Sequence, residues 1–402
     1  MPAEKLTSTP LRIFVLLSRF PYPLEKGDKL RAFHQLRILS KHHEIFLCAL
    51  HEEELQPDWI SEVKKHCTEL KTIKLSRVNQ FVNLGFSLLR KEPFQVAYFY
   101  QKKAQQEIEK SISEWKPDAI YCQLLRTAKY VLNVKDTPNV IDFQDAFSKG
   151  IERRLETDPW YLKPVLKSEL RRLNRYEQQV FDAFDHCTII SEQDRNQLQV
   201  GQKEQISIVR NGVNLQDFVP SNEQKSIEVL FAGNMGYPPN IEGAIFLAKE
   251  VMPLVRKKYP EAKLMLAGAR PDTKVKELQS GLTDVTGWVD DIRDCYAKAK
   301  VFVAPMMIGT GLQNKLLEAM AMRIPCVTST LANNALQAKP NTQILIGTTP
   351  EEYANHVLEL LDNQAKADNI ANAGHDLVTN HFGWDGMTKP LLDAIEKVAS
   401  KA

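Results

Sequence analysis

Short, almost wholly apolar runs alternate with longer amphipathic stretches along nearly the entire chain, and this alternation restricts the fold more than composition does. A run apolar at every position suits a strand covered on both faces, the situation of parallel sheets whose crossovers are helices. In the first half such strands are expected at 12–18, 44–50, 69–75, 119–123, 139–142 and 186–191, with helices at 27–41, 101–115 and within 162–185. In the second half they are expected at 227–232, 263–267, 285–286, 300–304, 326–328 and 344–346, with helices such as 240–258 and 351–362. Between the halves, Arg210-Asn211-Gly212-Val213-Asn214 through Pro220-Ser221-Asn222 has the composition of turns and linkers. The pattern predicts two α/β domains, at 1–210 and 227–380, joined by a linker at 211–226, with a last helix in 381–402.

The most chemically informative segment is Val301-Phe302-Val303-Ala304-Pro305 and the run that follows it, Met306 to Met322. It reads as a buried strand, a turn bearing Gly309, Thr310, Gly311 and Leu312, and a helix opening near Gln313 and Asn314. A strand feeding a helix through such a turn aims backbone N–H groups and the positive end of the helix dipole at one point, which suits a phosphate. Lys315 and Glu318, three apart, share a helical face. The cation suits a diphosphate, and the carboxylate suits the two vicinal hydroxyls of a ribose. A second cue is the strand Val229-Leu230-Phe231-Ala232, which runs into Gly233-Asn234-Met235-Gly236-Tyr237-Pro238-Pro239-Asn240. Gly233 and Gly236 let backbone approach a ligand closely, and Asn240 is expected to cap the helix.

The run Gly-Leu-Gln-Asn-Lys-Leu-Leu-Glu-Ala-Met-Ala-Met, with Pro325-Cys326-Val327-Thr328-Ser329 behind it, resembles the nucleotide-binding motif of retaining glycosyltransferases of family 4. That resemblance implies the GT-B architecture, two Rossmann-like parallel-sheet domains facing a cleft, with a final helix returning to the first domain. It implies that Glu318 holds the donor ribose and that Lys315, Gly233, Asn234 and the 309–312 turn meet the diphosphate. Family members often carry a second glutamate where this chain has Thr310, and an Arg and a Lys where it has Asn234 and Asn240. The first departure changes the groups at the sugar ring and leaves the nucleotide grip intact, whereas the second leaves more of the phosphate charge to Lys315 and backbone amides. The partners implied are a nucleoside-diphosphate sugar and a glycan or lipid-linked acceptor. The sugar nucleotide is a substrate, so no cofactor is expected. No Asp-x-Asp triplet of the metal-binding kind occurs, and no metal is implied.

In the first domain the loop Ser18-Arg19-Phe20-Pro21-Tyr22-Pro23-Leu24-Glu25-Lys26-Gly27-Asp28-Lys29-Leu30-Arg31 joins the first strand to the first helix at the carboxyl edge of the sheet, where open α/β folds bind ligands. Its wording resembles a bacterial subgroup of sugar transferases associated with exopolysaccharide export. Gly27, Lys26 and Arg31 are candidates on the acceptor or phosphate side. A family histidine near the transferred sugar has no counterpart after either middle strand, which leaves Asp142 and Asp145 as the carboxylates to consider, Asp142 as a catalytic group with Lys315 and Glu318. His34, His42 and His43 have no nucleophile or base within sequence reach and read as surface or core residues.

The net charge of +2 favours no nucleic-acid partner. Residues 1–225 hold 34 Lys and Arg against 30 Asp and Glu, whereas the rest holds 18 against 20, so the small positive excess lies in the first half. Two stretches there, 78–100 and 153–175, combine aromatic residues with Arg and Lys, a pattern that an anionic membrane surface accepts; apolar residues at helical spacing are, however, ordinarily core. The six scattered cysteines have neither metal-ligand nor redox spacing and are expected as buried thiols in a reducing compartment. With no signal peptide and no run long enough to span a bilayer, a cytoplasmic enzyme is expected, peripheral membrane contact staying open. Two rival readings are a nucleotide-sugar 2-epimerase of the same architecture and a non-catalytic nucleotide-sugar-binding protein.

Overall fold

A computed structural model describes residues 9–307 and 312–401. It contains two compact units, the first formed by 1–210 with 388–402 and the second by 211–387. The residues expected as a linker belong to the second unit, and the last helix, Trp384–Ala399, is divided between the two.

The first unit is built on seven parallel strands: β1 (Arg12–Leu17), β2 (Glu44–His51), β3 (Glu69–Lys74), β4 (Ala119–Gln123), β5 (Asn139–Asp142), β6 (His186–Ile189) and β7 (Ser207–Ile208), in the order β3-β2-β1-β4-β5-β6-β7. Both faces are buried, and the two-residue period of a strand divides β1 and β2 between them. Phe14, Leu16, Phe46, Cys48 and Leu50 enter one core, and Ile13, Val15, Leu17, Ile45, Leu47 and Ala49 the other. The second core also takes Leu391, Leu392, Ile395 and Val398 from the last helix. The second unit repeats the plan with β8 (Ile227–Ala232), β9 (Leu264–Ala267), β10 (Thr283–Gly287), β11 (Ala299–Ala304), β12 (Cys326–Thr328) and β13 (Leu345–Ile346), all parallel, in the order β10-β9-β8-β11-β12-β13. In each sheet the strand order reverses once, between β1 and β4 and between β8 and β11. Crossovers leave in opposite directions on the two sides of such a point and open a crevice at the carboxyl ends.

Asp142 and Arg31, expected to meet substrate, do something else. Both side chains are fully buried, with Arg31 Nε 2.6 Å from Asp142 Oδ2. The other carboxylate oxygen accepts from the Gln144 N–H at 3.2 Å and from Thr188 Oγ1 at 3.1 Å, while Tyr121 Oη lies 3.4 Å from Oδ2. The carboxylate thus ties β4, β5 and β6 to the helix Gly27–Leu39, and its charge is met inside the protein. This corrects the expectation for both residues: they are internal struts. All six cysteines are free thiols, five of them buried. Among the described residues no helix is long and apolar enough to cross a membrane, and no group of three or more His, Cys, Asp or Glu stands ready for a metal ion.

Removing one member of a buried ion pair strands the other charge, at a cost of about 3–5 kcal/mol. Asp142→Ala is expected to lose that much stability in urea denaturation, and the double variant Arg31→Met with Asp142→Leu to recover most of it.

Candidate functional site

The carboxyl ends of β8 and β11 flank the reversal point of the second sheet, and the residues singled out from sequence gather there. Lys315 and Glu318 lie on the helix Asn314–Ala321, whose first turn carries no acidic residue to oppose an incoming anion. Lys315 Nζ donates to Asn240 Oδ1 at 2.5 Å, lies 4.7 Å from the centre of the Phe231 ring and 3.8 Å from Met306 Sδ. These neighbours are polar or aromatic but uncharged. Burial therefore dominates, and the ammonium is pushed down to about 7, with the Glu318 carboxylate pulling the other way.

Glu318 Oε2 accepts from the buried Tyr296 hydroxyl at 2.8 Å. Burial raises the Glu318 pKa, opposed first by that hydrogen bond and then by Lys315. The phenol fixes one carboxylate oxygen and so orients the other. Tyr296 comes from the short helix Arg293–Ala297 before β11 and carried no motif; only the fold brings it to Glu318.

The turn after β8 is set by close backbone approach. Gly233 has φ +153°, and a Cβ there would stand 2.8 Å from Asn240 Nδ2 and 3.0 Å from Lys315 Nζ. Gly268, at the end of β9, has φ +138°, and a Cβ there would fall 1.9 Å from the Gly233 carbonyl oxygen. Glycine is required at both positions. Asn240 is not the helix cap that sequence suggested. The helix begins at Pro238 with Tyr237 as its N-cap residue, because a proline needs no N–H partner at the first helical position. The Asn240 amide instead donates to the Asn234 carbonyl at 2.9 Å and accepts from Lys315, linking turn to cation. The exposed Asn234 side chain accepts the Gly236 N–H at 3.0 Å. Across the reversal point, Ser329 Oγ donates to the Met306 carbonyl at 2.7 Å and caps the helix Thr330–Leu336. Gly309, Thr310 and Gly311 lie outside the described residues. Leu312 packs against the core, Gln313 is the N-cap residue, and Asn314 is the first residue of the helix.

In the first unit, Lys26 is the extended N-cap residue of the helix Gly27–Leu39. A Cβ at the exposed Gly27 would meet nothing within 4 Å. Arg19 pairs with Asp28 at 2.5 Å and Lys29 with Glu25 at 3.5 Å. Asp145 is exposed beyond β5. The protein mass around it and then the Asp194 carboxylate push its pKa up to about 6. Two non-glycine residues at this edge, Leu124 with φ +70° and Gln144 with φ +65°, hold left-handed backbone, a strain that recurs at ligand sites. Asp145 therefore remains at the edge, whereas Asp142 and Arg31 lie beneath it.

Residues 226–363 match the family model for glycosyl transferases group 1. They are a group 1 glycosyltransferase domain. The chain is a glycosyltransferase, similar at 21% identity over 92% of its length and 96% of the relative's to an uncharacterized 44.6 kDa protein in the cps region of Klebsiella pneumoniae. It is 25% identical, over 58% of its own length and 66% of the relative's, to a GDP-mannose-dependent α-(1-6)-phosphatidylinositol monomannoside mannosyltransferase of Mycobacterium tuberculosis. Its fold is that of Anabaena HepE, solved with UDP-glucose, with a TM-score of 0.69 at 12% identity over 96% of this chain and all of that one. The two doubly wound sheets of the glycosyltransferase are those of the GT-B class.

A diphosphate ester carries no titrating proton near neutrality, so the pH dependence of its binding isolates Lys315. The lysine is protonated below about pH 7 and neutral above it. Affinity for a nucleoside-diphosphate sugar is expected to fall as pH rises through that value, with proton uptake on binding on the alkaline side. Calorimetry in buffers of different ionisation enthalpy measures both, and Lys315→Met should abolish the dependence and weaken binding about ten-fold or more.

Proposed function

We propose that this glycosyltransferase moves a sugar from a nucleoside-diphosphate sugar to a hydroxyl of a glycan or lipid-linked acceptor, with retention of anomeric configuration, in the synthesis of cell-surface or extracellular polysaccharide. The donor ribose sits on Glu318 through the oxygen that Tyr296 leaves available. The diphosphate lies against Lys315, the Gly233 backbone and the start of the Asn314–Ala321 helix. The acceptor oxygen bonds to the anomeric carbon as the bond from that carbon to the diphosphate oxygen breaks. The nucleoside diphosphate leaves with the bonding electrons, and the acceptor proton passes to it. Lys315 and the helix dipole offset the charge that grows on the leaving group, and the chemistry needs no metal. Retention follows from attack on the face from which the diphosphate departs.

The observation that carries this reading is the joint placement of a weakly countered cation, an oriented carboxylate and two obligatory glycines at the reversal point of a group 1 domain. The relative from a cps region supports polysaccharide synthesis, and the HepE complex supports a uridine nucleotide as the first donor to try. The first unit, with the open edge around Gly27, Lys26 and Asp145, is the acceptor side. The enzyme works at the cytoplasmic side, where sugar nucleotides are made.

A panel of nucleoside diphosphates and their sugars, read by thermal shift, identifies the donor. With that donor and a pool of lipid-linked glycans, Glu318→Ala is expected to lower kcat/KM by about 10- to 100-fold, the loss of one or two charge-assisted hydrogen bonds. Unchanged transfer by Glu318→Ala, or donor binding by the wild type without turnover on any acceptor, would refute the proposal.

A further inference from the structure

Arg126 is a cation held without a counter-ion. It lies on the short helix Leu125–Ala128, just past the end of β4, which flanks the reversal point of the first sheet. Its guanidinium stands 4.8 Å from the centre of the Phe99 ring and 5.3 Å from that of Phe147, and Nε donates to Gln95 Oε1 at 3.0 Å. Two rings and a neutral amide thus hold the group in place. Nη1 is shielded from solvent, yet no protein atom accepts from it, and no carboxylate among the described residues forms an ion pair with the side chain.

The carboxylates whose charge reaches Arg126 are Asp28, Asp145 and Glu52. Asp28 is held by Arg19 at 2.5 Å, and Glu52 Oε1 accepts from the Gln80 amide and from the Tyr98 hydroxyl, each at 2.6 Å. Asp145, beyond the end of β5, neither pairs with Arg126 nor accepts a hydrogen bond among the described residues. Arg19 brings a second positive charge from the end of β1, its guanidinium 6.0 Å from the same Phe99 ring. Burial and then the Arg19 charge push Arg126 down to about 10, so it stays protonated at neutral pH. A largely desolvated charge without a partner costs folding free energy. Leu124, directly before the helix, adds left-handed backbone at the same edge. Nothing in the packing needs the cation, since a neutral side chain would fill the space between two phenylalanines.

We infer that Arg126 anchors a negatively charged group of the acceptor, a carboxylate or phosphate carried on a sugar, with Asp145 receiving a hydroxyl beside it. This rests on the reading of the first unit as the acceptor side. A guanidinium fork takes two oxygens of either anion, whereas a neutral sugar offers it only hydroxyls. The unpaired Asp145 carboxylate accepts from an O–H and repels a second anion. The pair therefore selects an acidic sugar over a neutral one, and fixes which end of it meets the cation.

The test is binding of methyl glucuronide, glucose 6-phosphate and neutral methyl glucoside to the full-length protein, read by ligand-observed NMR. It is run on the wild type and on Lys315→Met, which removes the anion-binding cation of the second unit. At least one charged sugar is expected to bind about ten-fold or more tightly than methyl glucoside in both proteins, and which one it is assigns the anion as carboxylate or phosphate. Arg126→Gln should abolish that preference. Gln95→Glu keeps the guanidinium in place and supplies an internal counter-ion, so it should abolish the preference too, with a melting temperature equal to the wild type's or higher. This second variant keeps the result readable where Arg126→Gln folds poorly. Equal binding of charged and neutral sugars, a preference lost in Lys315→Met, or one that survives Gln95→Glu overturns the inference. Loss in Gln95→Glu of the thermal shift given by the nucleoside-diphosphate sugar also overturns it, assigning Arg126 to the donor. If no nucleotide sugar shifts the wild type while a charged sugar binds through Arg126, the transfer reading fails and the anion site stands.

Discussion

Both units depend on one constraint: every strand in a sheet runs the same way, so all carboxyl ends lie on one edge. A parallel sheet must be covered on both faces by its crossovers, and the strand order can then reverse only where crossovers part to opposite faces. That point is the single place on each sheet where side chains from several elements converge without filling the gap between them. The residues proposed to hold the donor, Gly233 after β8 and Lys315 and Glu318 beyond β11, occupy it in the second unit.

The two units use the edge in opposite ways. In the first, Asp142 at the end of β5 is saturated by Arg31, Thr188 and backbone, with nothing left to offer a ligand. In the second, Lys315 is held by the neutral Asn240 oxygen and an aromatic face, and Glu318 by a neutral phenol. A closed pair stabilises the sheet, whereas charges held by uncharged groups keep their capacity for an ionic partner. Comparable residue types are thus closed off in one sheet and left open to an ionic partner in the other, and the nature of their counter-groups decides which.

The inner strands were legible in the sequence because burial on both faces keeps their runs largely apolar, and β4, β5, β8 and β12 fall at the residues expected. β7 was not, since a two-residue strand such as Ser207–Ile208 has no period. Lys315 and Glu318 were legible because three-residue spacing on a helix is a local relation. The Arg31–Asp142 pair joins residues 111 apart, and Tyr296 reaches Glu318 from before β11, relations fixed by topology. Asn240 was misread because the prolines ahead of it start the helix earlier. For the Arg77–Arg90 helix, periodicity reported that one face is apolar, but the polar face turns inward onto Glu52 and Tyr100, which lie outside the helix.

The division of the chain has a consequence for its biosynthesis. The second unit is continuous in sequence, whereas the first is closed by residues from Thr388 onward, among them Leu391, Leu392, Ile395 and Val398. On the ribosome the inserted unit has all its strands before the unit that precedes it has all its core. One face of the earlier sheet, around Ile13, Val15 and Leu17, must wait for the last helix to emerge. Residues near the C-terminus are thus the final folding step of the N-terminal sheet, and their loss would expose apolar surface made several hundred residues earlier.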